Sequence, residues 1–147
     1  MVKSAVAYRA NGTVIIAPVI RTTTGLGLEV DPEILGAAPN EERVANALAH
    51  ALVQSDRVVP HPPQDEWKGF FQPFLKATGV RSHKAFMDGA QRVSIRLVEN
   101  QLKITPQRNL GSKEGFEPIP DQAVLVPENE PVIAAAALLR LLAAPAH

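Results

Sequence analysis

Apolar and polar residues alternate along this chain with a period that changes several times, and each change predicts an element. Val6 and Tyr8 alternate with small or polar neighbours, Asn11-Gly12 supplies a two-residue turn, and Val14-Ile15-Ile16 returns. A type I′ turn needs positive φ at both central positions, which Asn and Gly tolerate, so residues 4–22 predict a β-hairpin. A short strand follows at 28–30, ended by Asp31-Pro32. Val44, Leu48, Ala51 and Leu52 then recur at helical spacing. Asn40 precedes them as an N-cap, with Glu41 and Glu42 in the first turn where the helix dipole favours anions. An amphipathic helix over 40–54 results.

Pro60, Pro62 and Pro63 form a stiff connector that continues neither helix nor sheet. Beyond it, Asp65 is a candidate cap for a turn carrying Trp67, Phe70, Phe71, Phe74 and Leu75 at helical spacing. Pro73 has no amide to bond back to Gly69, so a kink or restart is expected there, and Gly79 closes the helix. Ser82 caps a short helix through Met87, stopped by Gly89. From Arg92 the period becomes two. Val93, Ile95 and Leu97 share a face, and Leu102 and Ile104 answer them after Glu99-Asn100, which predicts a second hairpin. Residues 106–120 read as loop, 123–126 as a last strand, and 131–143 as a helix with few polar positions. A helix of that kind is deeply packed or shared, so self-association through it is one expectation. The elements together predict an α+β fold: a single domain over 1–147, its mainly antiparallel sheet built from hairpins with helices packed against it.

At 147 residues the chain is long enough for one core of its own. It has no cysteine, which excludes disulfides and thiolate metal sites and fits a reducing cytoplasm. Tyr8, Arg9, Asn11 and Gly12 interrupt the opening apolar run, and Arg140 interrupts the longest one, so no export signal or membrane anchor is expected. Formal charge is zero but unevenly spread: residues 68–113 hold nine Lys/Arg against two Asp/Glu, while both flanking segments are acidic. Such asymmetry either cancels when segments interleave in the fold or makes a polar molecule that steers a charged partner.

Candidate chemistry is sparse. None of His50, His61, His83 and His147 sits at ligand spacing from another metal-binding side chain, so no metal and no cofactor is expected. Gly25-Leu26-Gly27 lacks the third glycine and the helix of a nucleotide fingerprint and reads as a turn. Gly111-Ser112-Lys113 has no Walker spacing before it. Asp65 and Glu66 are adjacent, and neighbours one apart do not face each other on a helix, so paired acid–base work is not expected. No Ser, His and Asp set stands out for nucleophilic catalysis. Five of the seven aromatics fall between Trp67 and Phe86 at core-like spacing, and the second hairpin presents no ring, which argues against direct nucleic-acid binding by stacking. Residue chemistry alone leaves three classes open: a binding protein, a basic nucleic-acid-binding module using 68–113, or a small enzyme with a dispersed site.

A family resemblance narrows these. The run Gly79-Val80-Arg81-Ser82-His83-Lys84-Ala85-Phe86, the hairpin ending Ile104-Thr105-Pro106, then Asn109, Gly111, Lys113 and Gly115-Phe116 resemble bacterial immunity proteins of contact-dependent growth inhibition, the CdiI type. Thr24-Gly25-Leu26-Gly27, Leu35-Gly36 and the helix from Leu48 to Ser55 fit the same pattern, in order, over 4–120. The resemblance implies a cytoplasmic, non-catalytic antidote that binds the C-terminal toxin domain of a CdiA effector, often a nuclease. Inhibitors of nucleases commonly present an acidic surface, from which this chain departs by its basic middle. Partner contact is expected at the paired acids Asp31 and Glu33, Glu41 and Glu42, and Asp65 and Glu66. The basic hairpin face of Arg92, Arg96, Lys103 and Arg108 is the next candidate.

Overall fold

The computed structural model describes residues 3–143. Two hairpins build the middle of the sheet. Strands β1 (Lys3–Ala10) and β2 (Thr13–Thr22) join through Asn11-Gly12, whose φ angles of 50° and 72° are those the sequence demands. Strands β6 (Gln91–Val98) and β7 (Gln101–Asn109) join through Glu99-Asn100, also at positive φ. β1 pairs antiparallel with β6, from Lys3 opposite Leu97 to Arg9 opposite Gln91, and this fuses the hairpins into one surface. Short strands extend both edges. β3 (Gly27–Glu29) and β4 (Glu33–Gly36) lie on β2, whose end also pairs in parallel with β5 (Val58–Val59). β8 (Phe116–Pro118) and β9 (Val124–Pro127) lie on β7, which gives nine strands among the described residues, in the order β3-β2-β1-β6-β7-β8 with β4, β5 and β9 beside that path.

Helix α1 (Glu41–Gln54) starts as its sequence indicates, with Asn40 Oδ1 accepting from Arg43 N at 2.8 Å. Helix α4 (Pro131–Ala143) packs beside α1 on one face of the sheet. Val44, Leu48, Ala51, Ala134, Ala135, Leu138 and Leu142 meet Ala5, Ala7, Ile16, Val93, Ile95 and Ile104 there. Val132 and Ile133 of α4 stay exposed. Helices α2 (Trp67–Thr78) and α3 (His83–Met87) cover part of the opposite face, where Phe74, Leu75, Phe86 and Met87 pack on Val6, Tyr8, Ile15 and Ala17. Side chains alternate across a strand, so β1 and β2 need apolar residues on both sides. That is why Val14-Ile15-Ile16-Ala17 is a continuous apolar run.

Three local expectations change. Residues 106–120 are not simply loop, because β7 runs through Pro106 and β8 follows. Pro106 carbonyl accepts from Ile119 N at 2.9 Å on the outer edge, between the stretches of β7 paired with β9 and β8. The missing proline amide faces that gap, where no ladder bond is lost. Asp65 does not cap α2; it lies inside a 3-10 turn, Gln64–Glu66, that leads into the helix without a side-chain cap. α2 does not restart at Pro73, which is carried within the helix on its exposed side, so the Gly69 carbonyl it leaves unpaired meets water. Gly79 at φ 74° and Ser82, which accepts from Ala85 N, end α2 and begin α3 as expected.

Candidate functional site

A cleft rimmed by charged groups opens beside β3, where two elements that the sequence separates come together. Ile20, Leu28 and Val30 form a small third core with Val59, Trp67 and Phe70. The cleft above it has a volume of about 450 Å³ and is walled by the Pro60–Pro63 connector and by Gly69, Phe70 and Pro73 of α2. His61 latches the connector in place. Its ring Nδ1 lies 2.9 Å from Thr24 Oγ1 and 3.2 Å from Thr22 Oγ1, its backbone N donates to Thr23 Oγ1 at 3.1 Å, and its ring sits edge-on to Trp67. Thus Thr22-Thr23-Thr24-Gly25 makes a turn, with Gly25 N donating to Thr22 O, and that turn anchors a proline segment.

Carboxylates rim this cleft. Asp31, at φ 50°, pairs with Arg57 at 2.9 Å, and both line the cleft together with Glu66. Both members of the pair are largely exposed, so the pair contributes little to stability. Asp31 also lines a smaller neighbouring cleft with Glu33, whose carboxylate stands 3.9 Å from His50 of α1. Asp65 is exposed next to Glu66 in the 3-10 turn. Glu41 and Glu42 are exposed in the first turn of α1, nine and eight residues before His50, or about 13 Å along the helix axis. The six acids therefore divide into one group near the cleft and a pair at the far end of α1.

The basic stretch divides as well. Arg92 is drawn into a row that crosses the partly covered face of the sheet. Tyr8 Oη donates to Glu29 at 2.5 Å, while Arg92 donates to Tyr8 at 3.0 Å, to Glu29 at 2.6 Å, and to Gln107. Its guanidinium also lies over the rings of Tyr8 and Phe116. Burial and then the Glu29 carboxylate push the Tyr8 phenol well above its ordinary value. For Arg92 burial is the largest influence and lowers it, but Tyr8 and Glu29 together outweigh burial and hold the guanidinium above its ordinary value. This row joins β3, β1, β6 and β7. Arg96 and Lys103 stand directly opposite each other across β6 and β7, both exposed, and Arg108 lies 3.9 Å from Glu117. Arg81, Lys84 and Lys113 lie exposed on other elements.

Among the described residues no group of His, Cys, Asp or Glu is placed to hold a metal ion, and no helix is long and apolar enough to cross a membrane. Sequence reasoning missed Arg57 and Gly69 as parts of the cleft. A signal was present for the second, since Gly69 sits inside a helical pattern where glycine is costly. Arg57 carried none, because its partner Asp31 is distant in sequence.

A mainly antiparallel sheet with helices on both faces, whose charged groups rim an open cleft on a proline-rich wall, defines a class of small α+β proteins suited to contact with another macromolecule. The chain belongs to the CDI immunity protein family, whose model matches residues 28–132. A protein of unknown function from Neisseria meningitidis has the same fold, with a TM-score of 0.79 and 20% identity over 97% of this chain and 94% of that one. A chain of a CdiA-CT/CdiI toxin and immunity complex from Yersinia pseudotuberculosis superposes with a TM-score of 0.77 and 10% identity over 97% and 95%. At such identities the likeness is one of fold alone. No curated protein matches the chain in sequence.

Proposed function

We propose that this protein binds the C-terminal toxin domain of a cognate CdiA effector and neutralises it in the cytoplasm of the producing cell, without catalysis of its own. The observation that carries this reading is membership of the CDI immunity family over residues 28–132. The fold shared with a chain of the Yersinia toxin and immunity complex supports it. The toxin is proposed to be a nuclease. A nuclease holds phosphates on a basic surface, and carboxylates placed against that surface give electrostatic complementarity and a fast association. Asp31, Glu33, Asp65 and Glu66 near the cleft, with Glu41 and Glu42 at the start of α1, are the groups assigned to this contact.

The test uses the C-terminal toxin domain of the effector whose gene an immunity gene is expected to follow directly. Co-expression of this protein should rescue growth against that toxin and against no other, and the purified pair should associate over an interface of about 1,600 Å². Asp65→Ala with Glu66→Ala, and Glu41→Ala with Glu42→Ala, should each weaken binding measured by calorimetry while leaving the fold intact. Absence of binding by the wild-type protein defeats the reading; unchanged affinity in both double variants defeats only the placement of the contact.

A further inference from the structure

Gly69 has no explanation in the fold. It lies inside α2, its φ is not in the left-handed region, and a Cβ built on it meets nothing within 4 Å. Neither a positive φ nor close packing requires glycine there, yet glycine is among the poorest helix formers. What Gly69 does border is the cleft of about 450 Å³. The floor of that cleft is apolar, made by Ile20, Leu28, Val30 and Phe70, while Asp31 and Glu66 stand among its lining residues. Arg57, bonded to Asp31 at 2.9 Å, shows that a guanidinium fits against this rim.

We infer that the cleft receives a long cationic side chain, arginine or lysine, from the toxin domain, and that Gly69 keeps its mouth open. The inference rests on the toxin-binding reading and names the group that occupies this part of the contact. An arginine or lysine has an apolar stem that lies along hydrophobic surface while its charged head reaches the rim. Here the stem lies against Ile20, Leu28, Val30 and Phe70, and the head reaches Asp31 and Glu66. A purely apolar occupant strips water from the Glu66 carboxylate and returns no partner to it, which is costly. Among the described residues of the lining, two carboxylates stand against the single Arg57, one positive charge short. Arginine side chains seated in pockets are among the residues that dominate interface energies.

The experiment has two arms. In the first, N-acetyl-arginine amide and its neutral counterpart N-acetyl-norleucine amide are titrated into the protein while backbone amide resonances are followed by NMR. The arginine probe should shift Val30, Asp31, Glu66 and Phe70 saturably and the norleucine probe should not. Arg57→Ala should tighten arginine binding severalfold by freeing Asp31, a gain that a merely structural cleft does not produce. In the second arm, Gly69→Leu should abolish probe binding and weaken toxin binding at least about tenfold, equivalent to 1.4 kcal/mol. Its thermal midpoint should hold or rise, because leucine is the better helix former. Wild-type toxin affinity in Gly69→Leu, or equal binding of the two probes, overturns the inference. Arginine-selective binding by a protein that binds no toxin overturns the toxin reading and upholds the cleft as a cationic side-chain site.

Discussion

The two faces of the sheet are finished in different ways. The face under α1 and α4 is closed by small and aliphatic residues: the alanines of β1, α1 and α4 let helices and strands approach closely, and among the described residues no ion pair enters this core. The opposite face is apolar only where α2 and α3 cover it, then crosses the Glu29–Tyr8–Arg92–Gln107 row, and ends bare. On its bare part Arg96 and Lys103 oppose each other, with Val98 and Leu125 exposed beside them. The first face is held chiefly by apolar burial, with the buried Ser55 hydroxyl at the end of α1 accepting from Ser4 N of β1 at 3.1 Å. The second combines burial with a half-buried polar row and leaves charge at the surface, which is where a partner has something to recognise.

Breaking that comparison starts with the largest side chains. Phe74 is fully buried among Phe71, Phe86 and Tyr8, so Phe74→Ala should cost about 3–5 kcal/mol in urea unfolding. Leu138→Ala on the closed face should cost about 2–5 kcal/mol. A cost for Phe74→Ala below that of an exposed substitution would mean that the second face adds nothing to the core. Phe70, which lines the cleft and is only half-buried, should lose less than Phe74 on truncation.

The polar row comes next. Arg92→Ala strands Glu29 and Tyr8, and should cost about 2 kcal/mol, below the figure for a fully buried pair because both partners keep some exposure to water. The row also predicts an alkaline response. Tyr8 is the chain's one tyrosine, so tyrosinate absorbance reports it alone. A folded value raised above the unfolded value of about 10 means that only the unfolded state releases the proton as pH climbs past it. Stability should hold below that pH and fall above it, and Tyr8→Phe should remove part of the fall. Tyrosinate appearing near pH 10 with the fold intact would contradict the buried, carboxylate-bonded phenol.

The smallest effect sharpens the comparison at the bare end. Like charges directly opposite across two strands are unfavourable, so Lys103→Glu, which converts the Arg96 pair to opposite charges, should stabilise the protein by about 0.2–1 kcal/mol. A loss of stability on this exchange would show that Lys103 has a favourable role within the isolated fold.

Much of this fold was legible in the chain because its signals are local. Asn11-Gly12, Asn40 with its two glutamates, Gly79 and Ser82 each satisfy a nearby backbone requirement, and each holds in the structure. The period-two run after Arg92 and the helical runs before Gln54 and after Pro131 depend only on neighbours a few residues away. What only the tertiary structure decided depends on partners far apart. The pairing of β1 with β6 joins residues more than eighty positions apart, and it brings Arg92 to Tyr8 and Glu29 instead of leaving it on a basic surface. β4, β5 and β8 are too short to show a period and exist because a neighbouring strand offers unpaired backbone groups. The cleft belongs to the same category. Asp31, Arg57, Glu66 and Gly69 are unremarkable one by one, and they share a site because the third core draws β3, the proline connector and α2 to one place.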